Sequence, residues 1–295
     1  MVESLALQDL VGRAGALRLY PEVALAVQRV CIHGRGTPRE IERLVRADPS
    51  LVTSVFRLAS SSSYRPREGI RDLRHAVSVL GHQVLRDLVM NLAMTESSEG
   101  GEHVRGRLWL RSLRMGMIAE VMARQVADDP SPHGFVAGLV ADIGILVLLE
   151  VGPKSYERLL FGTGSSMRGL CQAEEQVFSF DHLRLGAACA RSWGFPPSVV
   201  TAIRYRYQVP EFSVLTAIVA AAARAETSIH LGEELGEIGE ELKARYGRTL
   251  GCSSRRFSRV VAEGLQRAAG LQRFVDERSG PVSARRSLPG RDPRA

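Results

Sequence analysis

The residue that most invites chemistry is Asp142, set in the apolar stretch Gly138-Leu139-Val140-Ala141-Asp142-Ile143-Gly144-Ile145-Leu146. An isolated buried carboxylate is costly, so an acid at this place needs a partner: a metal ion, a cationic side chain, or donors at a neighbouring helix terminus. Asp181-His182 opens another helical stretch and offers either a general base with an adjacent acid or an N-cap aspartate. Tyr205-Arg206-Tyr207 joins two residue types enriched in binding hot spots, and a half-buried helix end would explain it equally well. Ser60 to Ser63 and His75 supply a nucleophile and a base, but no acid is placed to orient the histidine and no nucleophile elbow surrounds the serines. Arg65, Arg67 and Arg71 could meet an acidic partner or a phosphate, or simply stand in water. His33, His75, His82, His103, His133 and His230 show no ligand spacing. The chain has neither a GxxxxGK[ST] loop nor a GxGxxG after a strand, which removes the common nucleotide folds. Cys31, Cys171, Cys189 and Cys252 form no CxxC pair, so a zinc knuckle or redox couple lacks support, and the thiols read as small buried hydrophobes.

The elements that must position these groups are helical throughout, with no convincing alternating strand pair. Thr37-Pro38-Arg39-Glu40 is a capping box with proline at the first helical position, and Ile41, Leu44 and Val45 follow on one face. Asp48-Pro49 starts the next helix in the same way. Two more helices, near 72–80 and 82–97, meet at Gly81. The polar, glycine-rich segment 97–106 is the best internal boundary. Beyond it, periodicity predicts helices over about 107–127, 134–150, 153–161, 165–178, 182–193, 197–207 and 212–230, with a stop and restart at Gly194-Phe195-Pro196-Pro197. An acidic amphipathic segment at 232–246 and an amphipathic helix at 254–276 could dock on a partner or on the chain's own body.

This order of segments resembles the HDOD family, the HD-related output domains of bacterial signalling, over roughly residues 16–230. Leu19-Tyr20-Pro21-Glu22-Val23, Asp48-Pro49-Ser50-Leu51, Arg57-Leu58-Ala59-Ser60-Ser61 and His75-Ala76-Val77-Ser78-Val79-Leu80-Gly81 are similar to its successive landmarks. Leu108-Trp109-Leu110-Arg111-Ser112, Ala141-Asp142, Phe180-Asp181-His182 and Ile203-Arg204-Tyr205-Arg206-Tyr207 complete the series. The broader HD phosphohydrolases hold divalent metals with a histidine, a His-Asp pair and a later aspartate. Carried over by this resemblance, those positions fall at Arg111, Ala141-Asp142 and near Ala223, and the double histidine of some relatives becomes Arg206-Tyr207. Arginine and alanine are not metal ligands, and Asp142 with His182 falls short of the three ligands such a site requires. The resemblance therefore implies a pocket without metal or cofactor, in which Arg111 takes the cation's place and pairs bidentately with Asp142.

The expected fold is all-α and two-lobed: 1–100 an N-terminal helical lobe, 101–230 an HD-like bundle lacking the metal ligands, 231–277 a helical extension, and 278–295 a disordered basic tail. The expected role is a non-enzymatic signal-transduction output or adaptor module, whose ligand or partner site would include Arg111, Asp142, His182, Arg206 and Tyr207. Partners would be other signalling proteins or a small nucleotide-like ligand, and a homo-oligomer is compatible with the sequence. Two alternatives stand beside it: a degenerate metal-dependent phosphodiesterase of the cyclic-dinucleotide class, and a nucleic-acid-associated regulator using the arginine-rich tail. Charge argues against nucleic-acid binding by the folded body. Of the net +7, the five arginines from Arg278 onward against Asp292 account for +4, leaving +3 for the rest. No stretch reaches the roughly 18 apolar residues of a membrane span, and the start Met1-Val2-Glu3-Ser4 is unlike a signal peptide, so a cytoplasmic protein is expected.

Overall fold

The computed structural model describes residues 7–14, 17–32, 37–94, 102–125, 132–152, 155–162, 167–208 and 213–279. Among these every regular element is a helix. The first group is α1 (Leu7–Arg13), α2 (Pro21–Ile32), α3 (Pro38–Ala47), α4 (Pro49–Ala59) and α5 (Leu73–Met94). The second is α6 (Glu102–Gln125), α7 (Gly134–Leu139), α8 (Ile143–Val151), α9 (Tyr156–Gly162), α10 (Met167–Phe178), α11 (His182–Ser192), α12 (Pro197–Tyr205) and α13 (Val214–His230). Two more, α14 (Leu235–Leu250) and α15 (Ser254–Ser279), close the described chain. The predicted boundary at 97–106 lies outside the described residues as far as 101, and the basic tail lies outside them from 280 onward.

Local sequence sets most of the starts and stops. Thr37 caps α3 in a reciprocal box with Glu40. Asp48 caps α4 through the amides of Ser50 and Leu51, and its other oxygen accepts from the amide of Tyr20 at 2.9 Å. One buried carboxylate thus ties the start of α2 to the start of α4. Trp109 on α6 extends the tie: its indole N–H donates to the Ala47 carbonyl at 2.8 Å, and its ring stacks on Tyr20 at 4.3 Å. Gly81 breaks α5 into two helical pieces, because its φ of 72° lies where only glycine rests without strain.

Packing joins the two halves into one core. A single cluster of buried apolar side chains runs from Leu10 to Val275 and includes Phe56 of α4, stacked on Phe195 at the α11–α12 turn with centroids 4.3 Å apart. A second cluster joins α6, α13, α14 and α15 around Ile118, Ile218, Ile238 and Phe257. Each such side chain contributes roughly 1.5–3 kcal/mol when fully buried. The C-terminal amphipathic helix docks on the chain's own body, where Gly264 lets α15 press against the backbone of Ile118. Phe274 receives the Arg43 guanidinium at 3.8 Å from its ring centre, and Arg278 pairs with Glu40.

One expected element is divided. The apolar stretch read as a helix over 134–150 is two helices, α7 and α8, with a turn at Val140 to Asp142. Its composition is apolar on every side, so periodicity carries no mark of the break. The reason emerges from what the turn frees: the Ala141 carbonyl, which accepts a hydrogen bond from Arg206 instead of from the helix.

Candidate functional site

Asp142 occupies the N-cap position of α8, 2% exposed, and its side chain makes no hydrogen bond to its own helix. Its carboxylate is held from both sides by guanidinium groups. Arg111 of α6 donates Nε–H to Oδ2 at 2.7 Å, and Arg206, just past α12, donates from Nη2 to Oδ1. Arg206 is the largest fully buried side chain among the described residues and also donates from Nη1 to the Ala141 carbonyl. The fork of Arg111 divides: while Nε serves Asp142, Nη1 serves Glu226 of α13. Arg111 therefore bridges two carboxylates and does not pair bidentately with one, which corrects the expected geometry. Asp142 is also not the lone acid of the pocket, since Glu226 lies one helical turn beyond Ala223 on the same helix.

The network continues through His182, the first residue of α11. Arg206 Nη2 lies 3.1 Å from His182 Nε2, and a guanidinium can only donate, so Nε2 accepts and Nδ1 carries the proton. That proton faces Glu174 Oε2 at 2.7 Å. Glu174, fully buried on α10, also accepts from the His182 backbone amide at 2.8 Å and from the Tyr156 hydroxyl at 2.6 Å. Charged and neutral donors thus alternate with acceptors along Glu226, Arg111, Asp142, Arg206, His182, Glu174 and Tyr156. The buried charges of Arg111, Asp142, Arg206 and Glu226 are tolerable because each has an opposite partner, while Glu174 is held by three hydrogen bonds from His182 and Tyr156.

Backbone geometry brings α8 and α11 close enough for this. Gly144 and Gly186 meet at their crossing, where a Cβ on Gly144 would stand 2.0 Å from the His182 carbonyl oxygen. The second member of the expected motif, Asp181, acts as the N-cap of α11, accepting from the Arg184 amide at 2.7 Å. Tyr207 turns its ring beneath Arg206, 5.0 Å from the guanidinium carbon, and its buried hydroxyl interacts with the Arg206 guanidinium without a well-formed hydrogen bond. Tyr205 is surface-exposed and stays outside the network.

Electrostatics follow from burial and pairing. Burial alone would raise the Asp142 carboxyl, but Arg206 and then Arg111 outweigh it and hold the group below the usual carboxylate range. Burial likewise opposes charge on Arg111, and Asp142 and Glu226 reverse the effect, keeping the guanidinium firmly protonated. Burial pushes the Cys171 thiol up to about 12, with Asp181 and Glu174 adding to the rise. Cys189 and Cys252 are buried as expected, Cys171 is half-buried, and the side chain of Cys31 lies outside the described residues.

These positions do not fit the metal centre of an HD phosphohydrolase. Position 111 carries a guanidinium bonded to both nearby carboxylates, Ala141 contributes only a carbonyl already taken by Arg206, and Ala223 has no donor. A different trio, Cys171, Glu174 and His182, places three donor atoms within 4.8 Å of one another. There the thiol is protonated and the Nδ1 proton bridges to Glu174, so a cation would have to displace both protons.

The remaining candidates are plain surface chemistry. Arg65, Arg67 and Arg71 lie on an exposed loop, where His75 Nδ1 accepts from the Arg71 amide at 3.1 Å and Ser61 Oγ donates to the Leu58 carbonyl. No catalytic pair forms between the serine run and His75. Sequence reasoning missed Glu174, Tyr156 and Glu226. A signal existed for the first: Leu170, Glu174 and Phe178 recur at a four-residue spacing on the buried face of α10.

Comparisons with known proteins agree with this fold. A structure of the MmoQ response regulator from Methylococcus capsulatus str. Bath is similar over 84% of this chain and 98% of its own, with a TM-score of 0.72 and 20% identity. An HDOD domain protein of unknown function from Geobacter sulfurreducens covers 92% of this chain and 96% of its own at TM-score 0.51 and 23% identity. A candidate phosphohydrolase from Shewanella amazonensis SB2B covers 94% and 100% at TM-score 0.53 and 19% identity. No curated protein gives a significant match. The HDOD domain family model matches residues 17–209, a span that holds the tie of Asp48 to Tyr20, the guanidinium-clasped Asp142 and His182. The chain belongs to the HDOD family.

Proposed function

We propose that this protein is a non-enzymatic output or adaptor module of bacterial signal transduction, working in the cytoplasm through protein–protein contacts or a small bound ligand. The observation that carries the reading is the double clasp on Asp142, whose two oxygens are engaged by Arg206 and Arg111. Metal-assisted hydrolysis needs deprotonated ligands that converge on an open cation position. Here fixed, permanently charged guanidinium groups engage both oxygens of Asp142, which supports structural cohesion without Lewis acidity. The similarity to a protein named as a response regulator is in keeping with a signalling role, and among the described residues no helix is long and apolar enough to cross a membrane.

The experiment is a phosphodiester panel, cyclic dinucleotides included, incubated with the full chain and Mn²⁺ or Mg²⁺. No product above the blank is expected. Product formation that disappears in Asp142→Ala would overturn the reading.

A further inference from the structure

Three buried polar atoms around the Asp142 network lack a well-formed hydrogen bond: Arg111 Nη2, Arg206 Nε and the Tyr207 hydroxyl, the last of which interacts with the Arg206 guanidinium. All three can donate. An under-satisfied buried donor is expensive, and native proteins keep few of them, so this group of donors calls for an acceptor nearby. Two cavities adjoin these atoms and share Met167 and Thr227 as walls. Arg111 lines the first, of about 320 Å³. Arg206 and Tyr207 line the second, of about 490 Å³, where Ala220 and Ala223 leave room that larger side chains would fill.

The second cavity is unusual in charge. Arg168, Arg206, Arg224 and Arg245 all line it, and no acid does. The acids that pair with these arginines engage them elsewhere. Glu241 accepts from Nε of both Arg224 and Arg245, at 2.7 and 3.0 Å, which fixes the two side chains and leaves the Arg245 terminal nitrogens outside that bridge. Glu233 lies 3.6 Å from Arg224, and Asp142 holds Arg206. Arg168 reaches the Tyr207 carbonyl at 3.3 Å. Arg245 comes from α14, beyond the span that matches the HDOD family, so the C-terminal extension completes the cavity.

We propose that this arginine-lined cavity binds a compact phosphate-bearing anion, clamped between α10, α12, α13 and the α14 extension. The guanidinium groups of Arg168, Arg224 and Arg245 match the many acceptor oxygens of a phosphate group, with the buried positive charge of Arg206 behind them. The site does not depend on the chain being non-catalytic: it is defined by binding alone.

The test uses the full chain and inorganic pyrophosphate, followed by titration calorimetry and thermal melting, with chloride and sulfate at matched ionic strength. Saturable pyrophosphate binding is expected, with a rise in Tm of a few degrees at high occupancy, and no comparable rise with chloride. Arg245→Ala and Arg168→Ala remove exposed side chains that the fold does not need, and each should weaken binding about tenfold. A Tm rise that chloride reproduces, or binding that neither variant weakens, would overturn the site. Cleavage of the bound pyrophosphate would support the site while contradicting the non-catalytic role, so the two proposals fail separately.

Discussion

Replacing Asp142 by asparagine keeps the shape of the side chain and deletes its charge. The amide oxygen still accepts from one guanidinium while its NH₂ faces the other; beyond position 142, Arg206 has only the Ala141 carbonyl and His182 as acceptors, and Arg111 has Glu226 and a long contact to Thr227. Removing one partner of a buried ion pair costs about 3–5 kcal/mol, because the remaining charge is left uncompensated. That is a large part of the roughly 5–15 kcal/mol that holds a typical domain. At roughly 2–4 °C per kcal/mol for chains near this size, Tm should fall on the order of 10 °C. Arg111→Ala should cost less, since Asp142 keeps Arg206. A double-mutant cycle between positions 111 and 142 should return a coupling of about 1–3 kcal/mol. The pH dependence has a definite sign. Asp142 titrates below its ordinary value in the folded chain, so its stabilisation is complete above about pH 4. As pH falls further, the unfolded carboxyl protonates first, and the advantage of wild type over Asp142→Asn shrinks until the folded group also protonates. Thermal melts of the four proteins of the cycle from pH 3 to 8 measure all of this. If Arg111→Ala left Tm untouched while Asp142→Ala lowered it, or if the coupling fell below about 0.5 kcal/mol, the guanidinium clasp would be wrong.

Three further outcomes follow from single contacts. Gly144→Ala would press a Cβ onto the His182 carbonyl oxygen, 2.0 Å away, so α8 and α11 must separate. The expected loss is about 1–3 kcal/mol, and an unchanged Tm would show that the crossing does not position His182. Cys171, with its thiol pushed up to about 12, should react slowly with iodoacetamide at pH 8, since only on the order of one thiol in ten thousand is ionised; labelling as fast as free cysteine would contradict the buried, protonated thiol. Truncation after Ser279, which removes four arginines beyond the last helix, should leave Tm within about 1 °C and lower any retention on DNA at low salt. A large drop in Tm would show that residues 280–295 support the fold.

Much of the fold was legible because helix ends carry local chemistry. Thr37 with Glu40, Asp48 before Pro49, Gly81 and Asp181 each mark a boundary through their own backbone or an amide two or three residues away. The break before Asp142 was not legible, because its cause is Arg206, 64 residues downstream, which binds the freed Ala141 carbonyl. The resemblance placed Arg111 beside Asp142 correctly, but the division of its fork between Asp142 and Glu226 depends on a long-range register of α6 against α13 that no spacing reveals. Glu174 stood on an apolar helical face and was recoverable from its period. Tyr156 and the under-satisfied donors of Arg111, Arg206 and Tyr207 were not, since they are defined only by what packs around them.

The central claim is that side-chain cations have replaced a metal at Asp142. The most direct measurement is the metal content of the full chain purified without chelators, by mass spectrometry of the elements. Less than about 0.1 metal per chain is expected, because the ligand positions carry guanidinium and methyl groups. One manganese, iron or zinc per chain, lost in Asp142→Ala, would contradict the claim; a metal lost only in Cys171→Ser would place it at the neighbouring trio and leave the clasp standing.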